Sequence, residues 1–256
     1  MKSFKAYFKK ELTEAKRTYK YLILFIGIIF WPAILGPLML KLLPLLLKNY
    51  MPPETMQLFS DFTRDYAFQS FLNDSFQFGL AFMAFALMGL IANEVRLKRL
   101  VFPYSRGVNP AGIVLAKYIH YAITISLFIL IAALIDYLYV DRLFTGGILT
   151  IKIVLESSLL YMLYFCTLLS ILLYLSSLFR RGLAAGFTVL ILGFSLSIFN
   201  QFDTIRAYFP SYLILKAADI GHIFDSSLIP TVIVSFCLII LFVSLSALHV
   251  RKIDVA

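Results

Sequence analysis

The sequence predicts an all-α integral membrane protein with six transmembrane helices, and three observations carry that reading. Mean hydropathy is +0.89, and 61% of the 256 residues are hydrophobic. That leaves too little polar surface to coat a soluble globule of this length. Six apolar runs reach or approach the roughly 20 residues a helix needs to cross the hydrocarbon core. These runs are continuous, whereas a membrane β-barrel requires short alternating segments.

Residues 2–20, KSFKAYFKKELTEAKRTYK, open the chain. Phe4, Tyr7, Phe8, Leu12, Ala15 and Tyr19 gather near one helical face while lysines crowd the remainder, the pattern of an interfacial helix in the headgroup layer. The first span is predicted at about 21–43, with Pro32 and Pro37 as kink sites and Pro44 just beyond it. No small-residue cleavage site follows, so this span reads as a retained anchor. Pro52 and Pro53 then open an outer helix-like run in which Phe59, Phe62 and Tyr66 share a face. Further spans fall at about 76–93, 113–135, 154–178, 183–200 and 229–248. Residues 200–228 are partly apolar but broken at Pro210 and Gly221, which predicts short re-entrant or interfacial helices. No internal repeat or low-complexity tract divides the chain, so 1–256 reads as one transmembrane domain.

Charge sets the expected orientation. With the N-terminus inside, the cytoplasmic segments hold 16 of the 23 basic residues: Lys2, Lys5, Lys9, Lys10, Lys16, Arg17, Lys20, Arg96, Lys98, Arg99, Arg106, Lys117, Arg180, Arg181, Arg251 and Lys252. Of the 14 acids those segments hold Glu11, Glu14, Glu94 and Asp254. Both asymmetries place the two termini in the cytoplasm. The net charge of +9 is then explained by basic flanks facing anionic lipid, so no nucleic-acid partner is implied.

The chain contains no Gly-Lys dipeptide, hence no phosphate loop, and no H-E-x-x-H, C-x-x-C or G-x-S-x-G. It therefore reads as a non-enzyme. Cys166 and Cys237 fall inside apolar runs and read as packing residues, and His120, His222 and His249 are scattered as headgroup-region residues, with no metal site implied. Within the predicted spans the carboxylates are Asp136 and Glu156, both near outer ends. Asp136 is expected to reach the headgroups. Glu156 begins a polar stripe with Ser157, Tyr161 and Tyr164, which either lines a substrate path or hydrogen-bonds a neighbouring helix. No charge is placed near the middle of the bilayer and no inverted repeat is visible, which disfavours a secondary carrier.

Residues 92–118, ANEVRLKRLVFPYSRGVNPAGIVLAKY, join the second and third spans. Glu94 at the membrane exit, an amphipathic stretch, Pro103, Ser105, Arg106 and then Lys117 opening the third span resemble the ABC-2 type transporter permeases. The match departs at Lys98-Arg99, where that family often has Gly-Thr. The basic N-terminal segment and the short turn of YLSSLFRRGLAAGFTVLIL are similar to the family's corresponding parts. The resemblance implies the transmembrane subunit of a bacterial plasma-membrane exporter, working with a cytoplasmic ABC ATPase subunit and a second permease copy or related chain. ATP and magnesium would belong to that ATPase, leaving no cofactor in this chain. The 94–112 loop would be the coupling helix, docking through Glu94, Arg96, Leu97, Lys98, Arg99, Leu100, Phe102, Pro103, Ser105 and Arg106. The implied cargo is hydrophobic or amphipathic, such as an antimicrobial or cytolytic peptide or a drug. A non-transporting scaffold or sensor subunit is the alternative from another class.

Overall fold

The computed structural model describes residues 2–47, 62–105, 107–179, 181–221 and 223–252. Six of its helices are long and apolar enough to cross a membrane: Lys20–Leu46, Arg64–Arg96, Pro110–Leu143, Ile151–Leu178, Gly182–Gln201 and Leu228–Lys252. The chain is a multi-pass membrane protein. Each predicted span is present, and the second and third extend well beyond their predicted outer ends.

That extension has a local cause. Thr63 caps the second span by accepting from the Tyr66 amide at 3.3 Å. Arg64 pairs with Asp141 at 2.9 Å, and Asp65 accepts from the Ile148 and Leu149 amides. Polar residues placed outside the two spans by the sequence thus fasten two helix ends to the 144–150 turn. At the other end of the bundle Asn109 caps the third span by accepting from the Ala111 amide at 3.0 Å, with Pro110 in the first turn.

The N-terminal helix, Lys2–Arg17, packs along the third span. It ends at Tyr19, whose positive φ of 56° breaks the helical path before the first span starts. Within the first span, Ile26–Leu35 winds as a wider π-helical stretch containing Pro32. Pro44 lies inside the helix Gly36–Leu47 rather than beyond the span. A π-helical stretch accommodates a proline because the carbonyl ladder is already displaced. The predicted run opened by Pro52 and Pro53, with Phe59, lies outside the described residues; its last part, Phe62 and Tyr66, stacks at 4.6 Å.

The 200–228 segment consists of short turns at Ser197–Gln201 and Arg206–Tyr208 and a helix at Tyr212–Ala217. Side chains tie it down. Ser211 donates to the Leu196 carbonyl at 2.7 Å, and Thr231 to that of Ala207 at 2.5 Å. Phe199 and Phe209 stack at 4.2 Å.

The second span is interrupted after Leu87 by a turn that Ser176 of the fourth span holds. Its hydroxyl accepts from the Ile91 and Ala92 amides at 3.0 and 3.1 Å and donates to the Met88 carbonyl at 3.0 Å. At the same turn Gly182 meets backbone: a β-carbon there would stand 3.0 Å from Gly89 Cα and 3.1 Å from the Met88 carbonyl oxygen. Backbone cannot yield as a flexible side chain does. Gly182→Ala is therefore expected to destabilise by about 1–3 kcal/mol, read as a lower unfolding midpoint in detergent. An unchanged midpoint would show that the two helices separate freely here.

Candidate functional site

The turn clipped by Ser176 leads into a helix at Ala92–Arg96, and there the chain places its buried charge. Glu94 is 3% exposed, Lys117 1% and Glu11 0%. Lys117 Nζ lies 2.5 Å from Glu11 Oε1 and 3.1 Å from Glu94 Oε1, and Lys10 meets the same Glu94 oxygen. Glu14 joins through Lys10 at 3.6 Å and Lys20 at 3.8 Å. The network holds three carboxylates, Glu11, Glu14 and Glu94, and three ammonium groups, Lys10, Lys20 and Lys117.

Four segments meet in it: the N-terminal helix, the start of the first span, the exit of the second and the beginning of the third. Glu11 reaches it because Tyr7, Glu11 and Ala15 recur at four-residue spacing along the buried face of the N-terminal helix. The carboxylates of Glu11, Glu14 and Glu94 approach within 4.8 Å of one another, the spacing a metal ion would use. Their charge is already matched by the three lysines, so this donor set fits an ion-pair network better than a cation site. His120 belongs to the same region. It is buried rather than headgroup-exposed, its Nε2 lies 3.0 Å from the Tyr21 hydroxyl, and Phe8 meets its ring edge-on at 5.3 Å.

Beyond this network the loop turns outward. Arg96, Leu97, Lys98 and Arg99 are all exposed, Val101 is 40% exposed and Leu97 51%. Lys98 has φ 52°, which folds the chain sharply between the helices Ala92–Arg96 and Val101–Ser105. The result is a small knuckle of mixed basic and apolar side chains. Two residues expected on its surface instead face inward: Glu94 is engaged by lysines, and Leu100, 1% exposed, belongs to the core. Pro103 is half-buried and Ser105 exposed. The backbone of Phe102 lies in the helix Val101–Ser105, and Arg106 lies outside the described residues.

The fourth-span stripe is used to join helices. Ser157 donates to the Ala217 carbonyl at 2.8 Å, Tyr161 to Leu72 at 2.8 Å and Tyr164 to Gly193 at 3.2 Å. These hydroxyls bind three different segments to one helix. Glu156 stays partly exposed and pairs with Lys152 at 3.7 Å, one turn away.

Asp136 does not reach the headgroups. The third helix continues to Leu143, so Asp136 sits about two turns inside it, 0% exposed, and among the described residues neither carboxylate oxygen has a hydrogen-bond partner. Asp74, expected outside the membrane, lies within the second span, its carboxylate 3.3 Å from where a β-carbon on Gly36 would stand. Lengthening the two helices moved both carboxylates into the bundle.

Sequence reasoning missed Ser176 and the role of Glu11. Only the four-residue repeat through Glu11 was available as a signal; nothing local in the sequence marks Ser176. Compared with known proteins, the chain matches no family model, no curated protein and no solved structure.

Proposed function

We propose that this chain is the membrane-spanning subunit of an ATP-driven exporter of the ABC-2 type, with both termini in the cytoplasm. In this reading the N-terminal helix lies in the inner headgroup layer and 200–228 is the outer re-entrant segment. The observation that carries the proposal is the exposed Arg96–Val101 knuckle seated on a buried ion-pair brace. A loop that merely sets topology or attracts lipid needs positive charge alone. A loop that transmits force to helices needs a rigid seat, and this one is joined through Lys117 to the third span and the N-terminal helix.

The knuckle has the composition of a docking patch: an apolar centre at Leu97 and Val101, with Arg96, Lys98 and Arg99 at its rim. A hollow between the N-terminal helix and Arg99, lined by Lys9, Lys10 and Arg17, extends the same basic face. Together they suit an acidic-rimmed groove on a soluble ATPase, which would bring the ATP and magnesium that this chain has no motif to bind.

A second permease chain is part of the proposal. Leu183, Phe187, Ile191, Phe194 and Ile198 form one exposed stripe along the fifth span, the spacing of a helix–helix seam. The abundance of apolar and aromatic side chains favours a hydrophobic or amphipathic cargo, such as a membrane-active peptide or a drug, passing between the two chains.

The test is co-expression with a candidate ABC ATPase and co-purification in nanodiscs, reading both capture and ATP turnover. Capture of an ATPase whose turnover responds to candidate amphipathic cargo is the expected result. Failure to capture it would overturn the proposal, and capture with cargo-insensitive turnover would leave a scaffold.

A further inference from the structure

A groove of about 1100 Å³ runs between the third and sixth spans at the end of the bundle that carries the knuckle. Leu115 and Ile119 form one wall, and Ile240, Val243 and Leu248 the other. Its residues on the sixth span run from Ile239 to Arg251, a length of roughly 18 Å at the helical rise. The volume lies at or above the roughly 300–1,000 Å³ typical of small-molecule pockets. The space is long and apolar, and among the described residues Arg251 is the cation that lines it. Tyr118 also lines it, but its hydroxyl is committed to the Cys166 carbonyl at 3.3 Å.

We infer that this groove is a binding site for an anionic phospholipid, with an acyl chain along the apolar walls and the headgroup phosphate on Arg251. Three observations select this occupant. Arg251 directly follows the apolar run of the sixth span, so it stands at the depth of the headgroups. Among the described residues no acid lines the groove to pair with a headgroup cation, so its electrostatics favour a net anionic headgroup over a zwitterionic one. Leu115, Ile240 and Leu248 are 42, 66 and 55% exposed, leaving an apolar surface for a chain to cover.

A second copy of the protein fits less well. Among the described residues at this end of the bundle, the carboxylates Glu11, Glu14 and Glu94 are all held in the ion-pair network. Those three carboxylates of a second copy are therefore not free to meet Arg251. The inference depends on the sixth helix spanning a membrane and not on the ATPase partner.

The experiment uses the full chain in detergent, titrated with phosphatidylglycerol or phosphatidylcholine and read by native mass spectrometry. Wild type is expected to retain one phosphatidylglycerol more tightly than phosphatidylcholine. Arg251→Gln is expected to weaken that retention on the order of tenfold, the scale of one charge-assisted contact, while Lys252→Gln leaves it unchanged. Ile240→Trp, which fills the groove but keeps the cation, is expected to lose both lipids. Each variant is accepted only if its circular dichroism and elution match wild type. Equal retention of the two lipids, or an Arg251→Gln variant that binds like wild type, would overturn the inference. So would a cysteine at Ser244 that cross-links two copies through the groove.

Discussion

Replacing Lys117 with methionine is expected to lower stability by about 3–5 kcal/mol, the range for removing one partner of a buried ion pair. The effect is large because Glu11 and Glu94 both depend on this ammonium and are almost completely buried. Without it, three carboxylates face two lysines in a site shielded from water. The change in volume is small, so the loss comes from charge and not from packing. The variant Lys117→Met with Glu11→Leu restores equal numbers of acids and bases and replaces the lost pair with apolar contact. It is expected to recover most of the loss. Unfolding midpoints of the two single variants, the double variant and wild type give the coupling directly. If Lys117→Met unfolds like wild type, the network is not what holds the N-terminal helix to the second and third spans.

A second large effect is expected on the knuckle. Leu97→Asp with Arg99→Glu should remove both the apolar centre and part of the basic rim of the proposed docking patch. Both side chains are exposed, so the fold should be untouched, and the unfolding midpoint should stay at the wild-type value. Capture of the ATPase is expected to fall at least about a hundredfold, since a hot-spot residue contributes about 2 kcal/mol or more and charge reversal adds repulsion. The pairing of an unchanged midpoint with lost capture is the decisive pattern. Undiminished capture would move the docking surface elsewhere, and a lowered midpoint would make the knuckle part of the fold.

These two variants divide the loop into an inner and an outer half, a division the sequence did not display. The six spans were legible because each is a continuous apolar run, a signal that survives any detail of packing. Their outer ends were not. Arg64 and Asp65 read as part of a separate outer helix, and Asp141 as lying beyond its span, until they are seen satisfying one another and the 144–150 turn. Misplacing those ends then misplaced Asp74 and Asp136. The 94–112 loop stood out by its mixture of charge and leucine, yet composition did not reveal that Glu94 and Leu100 point inward. Glu11 was hidden for another reason. An acid on an apolar helical face counts against the face until its partner is known, and Lys117 lies 106 residues away. Likewise, the hydroxyls of Ser157, Tyr161 and Tyr164 form one stripe whether they meet cargo or carbonyls; only the packed helices distinguish the two.

The ion-pair network also constrains how the protein is made. Its members emerge from the ribosome in the order Lys10, Glu11, Glu14, Lys20, Glu94, Lys117. Until the third helix is synthesised, Glu11 lacks its nearest counter-ion, and the first two helices must wait in the bilayer without their final seat. The N-terminal helix, although first to appear, therefore gains its Lys117 contact only after the third helix has begun to be made. Lys117 is the last of the six charges to be made, so both of its acids are already in the chain when it appears.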